Sequence, residues 1–118
     1  MTLTSAIENV LNLQKHWTAN KTTDMGNRGE IIRNTIPELL KPLAERYGLK
    51  AEGGSGIGKN NRVPWVRVFN PAFSPSPTGG WYAAFLFAAD GSAVFLSLNQ
   101  GTTDRSDGTT TRKVYRFS

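Results

Sequence analysis

A single change in hydrophobic periodicity, near Gly48, constrains this chain more than any other feature. Before it, apolar residues recur at roughly helical spacing: Ile7, Val10, Leu11 and Trp17, then Ile31, Ile32, Ile36, Leu39, Leu40 and Leu43. After it, short apolar or alternating runs are divided by turn residues. Helices followed by strands, with no βαβ alternation, predict an α+β domain: N-terminal helices packed on a curved, mainly antiparallel sheet of about five strands. Residues 1–118 read as one domain, helical over 1–48 and β-rich over 49–118, and a hydrophobic content of 38% suffices for one modest core.

Ser5-Ala6-Ile7-Glu8 has the form of a capping box and predicts a helix over about 5–18, its apolar stripe interrupted at Leu13 and Gln14. The stretch from Ala19 to Asn27 reads as a loop, because Thr22, Thr23, Asp24 and Gly26 compete with helix. Pro37 and Pro42 each remove a backbone donor, so two short helical pieces are expected, 29–35 and 37–47, ending at Gly48. Strands are expected at 49–52, 63–69, 81–88, 93–98 and 113–117. Ala89-Asp90-Gly91-Ser92 predicts a tight hairpin between the third and fourth. The connections 53–61, 70–80 and 99–111 are long for so small a domain, and long loops are where function concentrates.

The net charge of +5 is unevenly placed. Through residue 52, seven basic residues face six acidic ones; afterwards seven face three. A polyanionic partner is therefore expected to meet the second half. No apolar run is long enough to span a bilayer and no secretory leader is visible, so a cytoplasmic location is expected. There is no cysteine and His16 is the one histidine, which excludes thiol nucleophiles, cysteine zinc sites and histidine-built centres. Asp104 and Asp107 are too few carboxylates for a calcium loop. No carboxylate pairs with a lysine in a nuclease-like pattern, so no active site, metal or cofactor is expected.

Gly53-Gly54-Ser55-Gly56-Ile57-Gly58-Lys59-Asn60 comes near the phosphate-loop pattern. Asn60 stands where a magnesium-binding hydroxyl is needed, and Pro64 follows where a helix should begin, so nucleotide hydrolysis is excluded. A glycine loop approaching a ligand and a flexible β-connection both remain open. Asn60, Asn61, Arg62, Trp65 and Arg67 then place amide, cationic and aromatic groups in one run suited to nucleic acid. Period two sets Trp65, Arg67 and Phe69 on one face, which need not be the dry one. Tyr82 carries a polar handle on an otherwise apolar strand; Ser97, Asn99 and Gln100 suit either base recognition or a turn; Arg112, Lys113 and Arg116 form a basic strand.

Taken in order, Gly58-Lys59-Asn60-Asn61-Arg62-Val63-Pro64-Trp65-Val66-Arg67-Val68-Phe69, Gly80-Trp81-Tyr82-Ala83-Ala84-Phe85-Leu86-Phe87 and Val94-Phe95-Leu96-Ser97-Leu98-Asn99-Gln100-Gly101 resemble the N-terminal specificity domain of McrB-type methylcytosine-dependent restriction enzymes. The resemblance covers about residues 5–101. It implies a non-enzymatic module that binds double-stranded DNA carrying a modified cytosine and extrudes that base into an aromatic pocket. A GTPase motor and a nuclease subunit or domain would act elsewhere, and the chain would be a piece of a longer restriction protein. On matching positions Trp65 and Tyr82 are implied as pocket walls, with Ser97 and Asn99 beside them. Gly56, Ile57 and Gly58 form the intercalating loop, with isoleucine where the best-known member has tyrosine. Lys59, Asn60, Asn61, Arg62, Arg67, Arg112 and Arg116 would contact the duplex. A protein-interaction domain using the 70–80 loop, or a reader of another DNA mark, are the alternatives.

Overall fold

The computed structural model describes residues 1–103 and 110–116, with the backbone alone described beyond residue 101. The order is α1 (Leu3–Gln14), α2 (Thr23–Glu30), a π-helical turn (Ile31–Thr35), α3 (Ile36–Arg46), β1 (Lys50–Gly54), β2 (Trp65–Phe69), β3 (Gly80–Phe87), β4 (Val94–Thr103) and β5 (Thr110–Arg116). The strands pair antiparallel in the order β1-β2-β3-β4-β5. The α+β class is as expected. No helix among the described residues is long and apolar enough to cross a membrane.

The helices depart from expectation in three places. α1 begins at Leu3, because Thr2 rather than Ser5 is the cap: Thr2 Oγ1 accepts from the Ser5 amide at 3.1 Å, and Ser5 Oγ accepts from the Thr2 amide at 3.0 Å. The expected loop gives way to α2 from Thr23, because Thr22 caps that helix through the Met25 amide. The proline at 37 does not break the chain into separate pieces. The Ile36 amide donates to the Ile31 carbonyl five residues back, and this wide turn takes up the register change just before a residue that has no donor. The strands also run further than expected, β4 continuing through Asn99 to Thr103 where a loop was predicted. The fifth strand starts at Thr110.

One face of the sheet is covered by the helices. Ala6, Val10, Ile31, Ile32, Ile36, Leu40, Val66 and Phe87 form the core, with Ala51, Val68, Phe85 and Val94 packed against it. The layers come close at Gly53, where a Cβ would lie 1.8 Å from the Ile32 carbonyl oxygen. The predicted hairpin forms: the Ala88 amide donates to Ala93 at 2.9 Å, Gly91 has φ 75°, and bonds from the Ser92 hydroxyl and amide hold the Asp90 carboxyl below its usual range. It is pressed onto α1, since a Cβ on Gly91 would meet the Leu11 carbonyl at 2.3 Å.

These contacts separate two glycine substitutions. Gly53→Ala is expected to lower unfolding free energy by about 1–3 kcal/mol or more, because backbone must move. Gly26→Ala, inside α2 with nothing within 4 Å of the added methyl, is expected to raise it by about 0.5–1 kcal/mol. Urea denaturation midpoints of the two variants check both signs.

Candidate functional site

The antiparallel register sorts the candidate residues onto one surface. Trp65 pairs with Leu86, Arg67 with Ala84 and Phe69 with Tyr82; Tyr82 in turn faces Asn99, and Ala84 faces Ser97. Paired residues point to the same side, so Trp65, Arg67, Phe69, Tyr82, Ser97 and Asn99 share the face turned away from the helices. The neighbouring glycines agree. A Cβ on Gly53 would strike Ile32, whereas one on Gly54 would fall 2.3 Å from Trp65 Cζ2. The Trp65 indole thus lies across Gly54, half-buried and outside the helical core.

Trp65, Tyr82 and Asn99, with Pro77, Ala84 and Leu86, line a cleft on this face of about 10 Å³. That is room for about one water molecule and no more. The 70–79 connection closes it. Tyr82 donates its hydroxyl to the Pro77 carbonyl at 3.0 Å, and a Cβ on Gly101 would collide with Pro77 and Thr78. Ser97, buried beside Asn99 but not itself in the cleft lining, donates to Asn99 Oδ1 at 2.9 Å.

Arg67 does not take the role expected of it. Its side chain has no exposed surface, so it cannot meet a phosphate from this position. Its Nε donates to Glu52 at 2.6 Å, and its Nη1 donates to Ser74 Oγ at 2.9 Å and to the Ser74 carbonyl at 3.3 Å. The guanidinium lies 3.6 Å from the Phe69 ring centroid, and Nη2 has no partner among the described residues. Arg67 is therefore the peg that fastens the proline-rich connection over the cleft.

The glycine loop is a rigid stem with a bare tip. Ser55 accepts from the Asn61 amide across its neck at 3.1 Å, and Gly56 has φ 113°, with no space for a Cβ beside the Lys59 carbonyl. Ile57 at the tip is 100% exposed. Asn60 and Asn61, expected to touch DNA, are largely engaged in holding this stem. Asn60 Nδ2 donates to the carbonyls of Thr18 (3.0 Å) and Asn20 (2.9 Å), and Asn61 Oδ1 accepts from Arg28 at 3.3 Å. Lys59 is exposed. Arg62 is exposed too and stacks 4.1 Å from the Trp17 ring centroid, while Trp17 Nε1 donates to the Asn61 carbonyl at 2.8 Å. Arg112 and Arg116 take register positions opposite Gly101 and Ser97, and their side chains lie outside the described residues, as do Asp104 and Asp107.

Sequence reasoning missed the anchor of this assembly. Arg28 is fully buried; Nη1 donates to Gln14 Oε1 at 2.7 Å, and Nη2 donates to the Ser55 carbonyl at 3.2 Å and to Asn61. Burial, and next the charge of Arg33, push its pKa below the ordinary value. Gln14, read as a break in an apolar stripe, passes the connection on through bonds to the Arg62 and Ala88 carbonyls. The remaining signal was faint: a glutamine at a core position of one helix and an arginine on the inner side of the next.

A helix-backed antiparallel sheet thus carries an aromatic cleft on its free face and a projecting glycine loop at the end of β1. The chain belongs to the family of MrcB-like N-terminal domains, whose family model matches residues 10–116. No curated protein and no solved structure matches it.

The Arg67 peg makes a stability prediction. Glu52→Gln leaves a buried guanidinium with neutral acceptors alone and is expected to cost about 1–2 kcal/mol, the lower range for charged hydrogen bonds because Glu52 is half exposed. Adding Arg67→Met to that variant removes the unbalanced charge and should recover part of the loss. Chemical denaturation of the single and double variants checks the order.

Proposed function

We propose that this domain binds double-stranded DNA and reads a modified cytosine by swinging the base out of the duplex and into the cleft beside Trp65. The motor and nuclease that act on such a signal would be supplied by other domains or subunits. The observation that carries the reading is the convergence of Trp65, Tyr82 and Asn99 on one cleft, on the sheet face the helices leave free, next to a fully exposed apolar loop tip. Gly54, against which the indole lies, is the last residue of β1, and Ile57 follows three positions later.

The chemistry of each part fits its task. Ile57 presents apolar surface on a stem tied at its neck by the Ser55–Asn61 bond, which suits a wedge entering the gap left by a departing base. Trp65 offers a stacking surface, and Tyr82 forms the opposite wall. Asn99, its oxygen held by Ser97, offers an amide donor to an acceptor on the pyrimidine edge. Arg62 and Lys59 beside the loop neutralise phosphate and set the register of the duplex.

The closed cleft adds one step. A base can enter only if the Pro77 segment withdraws and the Tyr82–Pro77 hydrogen bond breaks, at a cost of about 0.5–1.5 kcal/mol. Extrusion costs a few kcal/mol more, and stacking on Trp65 returns about 1–3 kcal/mol before hydrogen bonds form. The freed Tyr82 hydroxyl then becomes available to the base.

Trp65→Ala is expected to weaken binding to the duplex carrying the cognate modification about 5- to 150-fold, the equivalent of that stacking energy, and to leave plain duplex nearly unaffected. Arg62→Gln should weaken both alike and lower the slope of log affinity against log salt by about one. Anisotropy titrations with unmodified, methylated and hydroxymethylated duplexes at several salt concentrations read both effects. An equal loss on every duplex from Trp65→Ala overturns the pocket role.

A further inference from the structure

The largest feature around the loop lies on the side away from Trp65. A cleft of about 460 Å³ opens between the start of α2 and the glycine loop, with Lys21, Arg33, Ser55, Gly56 and Lys59 in its lining. The lining brings three cationic side chains together with no carboxylate. Asp24, the acidic residue in the first turn of α2, pairs instead with His16 at 3.0 Å and is not part of the cleft wall. Two of the cations, Lys21 and Arg33, come from the half of the chain whose charges balance in sequence, so only folding joins them to Lys59.

This cationic group is built rather than incidental. Arg33 is held in place: it donates to Ser55 Oγ, and its guanidinium lies over Gly29, where a Cβ would sit 2.7 Å from Nη1. One hydrogen bond behind Ser55 lies Arg28, fully buried, which among the described residues has only neutral acceptors and an Nε with no partner, and the Arg33 charge is close enough to act on it. Among the described residues neither arginine makes an ion pair. A buried cation beside a second cation, with no counter-charge supplied by the protein, is unfavourable unless an anion arrives from outside. The open cleft is where such an anion has access, and its size admits a phosphate with its flanking sugars.

We infer that this cleft is a phosphate site that takes one phosphodiester of the DNA backbone on the opposite side of the wedge loop from Trp65. The inference rests on the DNA-reading function proposed above and adds to it a fixed point on the backbone. Gly56 and Gly58, which flank Ile57, also line the cleft. A phosphate seated there would therefore clamp the strand on one side of the tip while the tip displaces the base on the other. The same chemistry would accept a free phosphate, so the test must separate the two sources.

Lys21→Gln and Arg33→Gln, both at exposed positions, are compared with wild type and with Trp65→Ala. Each is expected to lower affinity several-fold equally on plain and modified duplexes and to reduce the salt slope by about one, while Trp65→Ala leaves the slope unchanged. A scan of duplexes in which single phosphates are replaced by uncharged methylphosphonates should find one position whose replacement weakens wild type and costs Lys21→Gln nothing further. If both variants keep wild-type affinity and slope while Trp65→Ala still loses discrimination, the phosphate site is overturned and the base pocket stands. If inorganic phosphate shifts the cleft amides in NMR spectra but no methylphosphonate position couples to Lys21, the backbone assignment is overturned in favour of a free phosphate ligand. Should wild type bind no duplex at all, the DNA-reading function fails and this inference fails with it.

Discussion

Arg28 carries the constraint on which the rest of this structure depends. A guanidinium withdrawn from water must find acceptors for its donors, and Arg28 finds them on three separate segments: Gln14 of α1, Ser55 at one side of the glycine-loop neck and Asn61 at the other. Through Gln14 the same network reaches the backbone before β2 and the end of β3. One buried side chain therefore sets the distance between the helical layer and the loop, and closes the neck from which Ile57 projects. The arrangement is electrostatically incomplete, because every acceptor is neutral. The anion site inferred for the adjoining cleft would supply the missing counter-charge.

A second arginine divides the labour on the opposite face. Arg67 donates to a carboxylate and a serine, with Nη2 unpartnered among the described residues, and being fully buried it fastens a connection in place. The two buried cations look alike in sequence, each embedded among apolar and polar neighbours. Their surroundings differ: Arg67 has a carboxylate partner, whereas Arg28 makes no ion pair among the described residues. Between them lies β1, whose last two glycines let the π-turn approach from one side and the Trp65 indole from the other. Neither contact would survive a side chain on the wrong glycine.

Much of this architecture could be read from residues alone, and the failures are instructive. The α+β order, the Asp90-Gly91 hairpin and the alternation that sends Trp65 away from Val66 all follow from local rules. Local rules misplaced the first cap, at Ser5 instead of Thr2, and the break at Pro37; most other failures came from inferences needing a partner distant in the chain. The first part of α2, 23–27, reads as loop because its glycine and hydroxyl residues weaken a helix, yet Met25, Arg28 and Gly29 are buried against the rest of the domain and stabilise the helix there. Pro37 looked like a break because the rule assumes an α-helical register, and a wider turn escapes it. Asn60, Asn61 and Arg67 looked like ligand-binding groups because polarity in a loop or strand suggests exposure; their hydrogen bonds point inward. The cationic cleft was invisible for the same reason, since summing charge along the chain hides residues that meet only in space.

The isolation of Ile57 carries an evolutionary consequence. A side chain that touches nothing in its own protein adds nothing to folding, and the stem beneath it is secured by other residues. Exchange at that position is thus expected to be uncoupled from stability. With the tip acting as the wedge proposed above, the scaffold would be a holder with a replaceable bit, able to drift from one preference to another without passing through an unfolded ancestor.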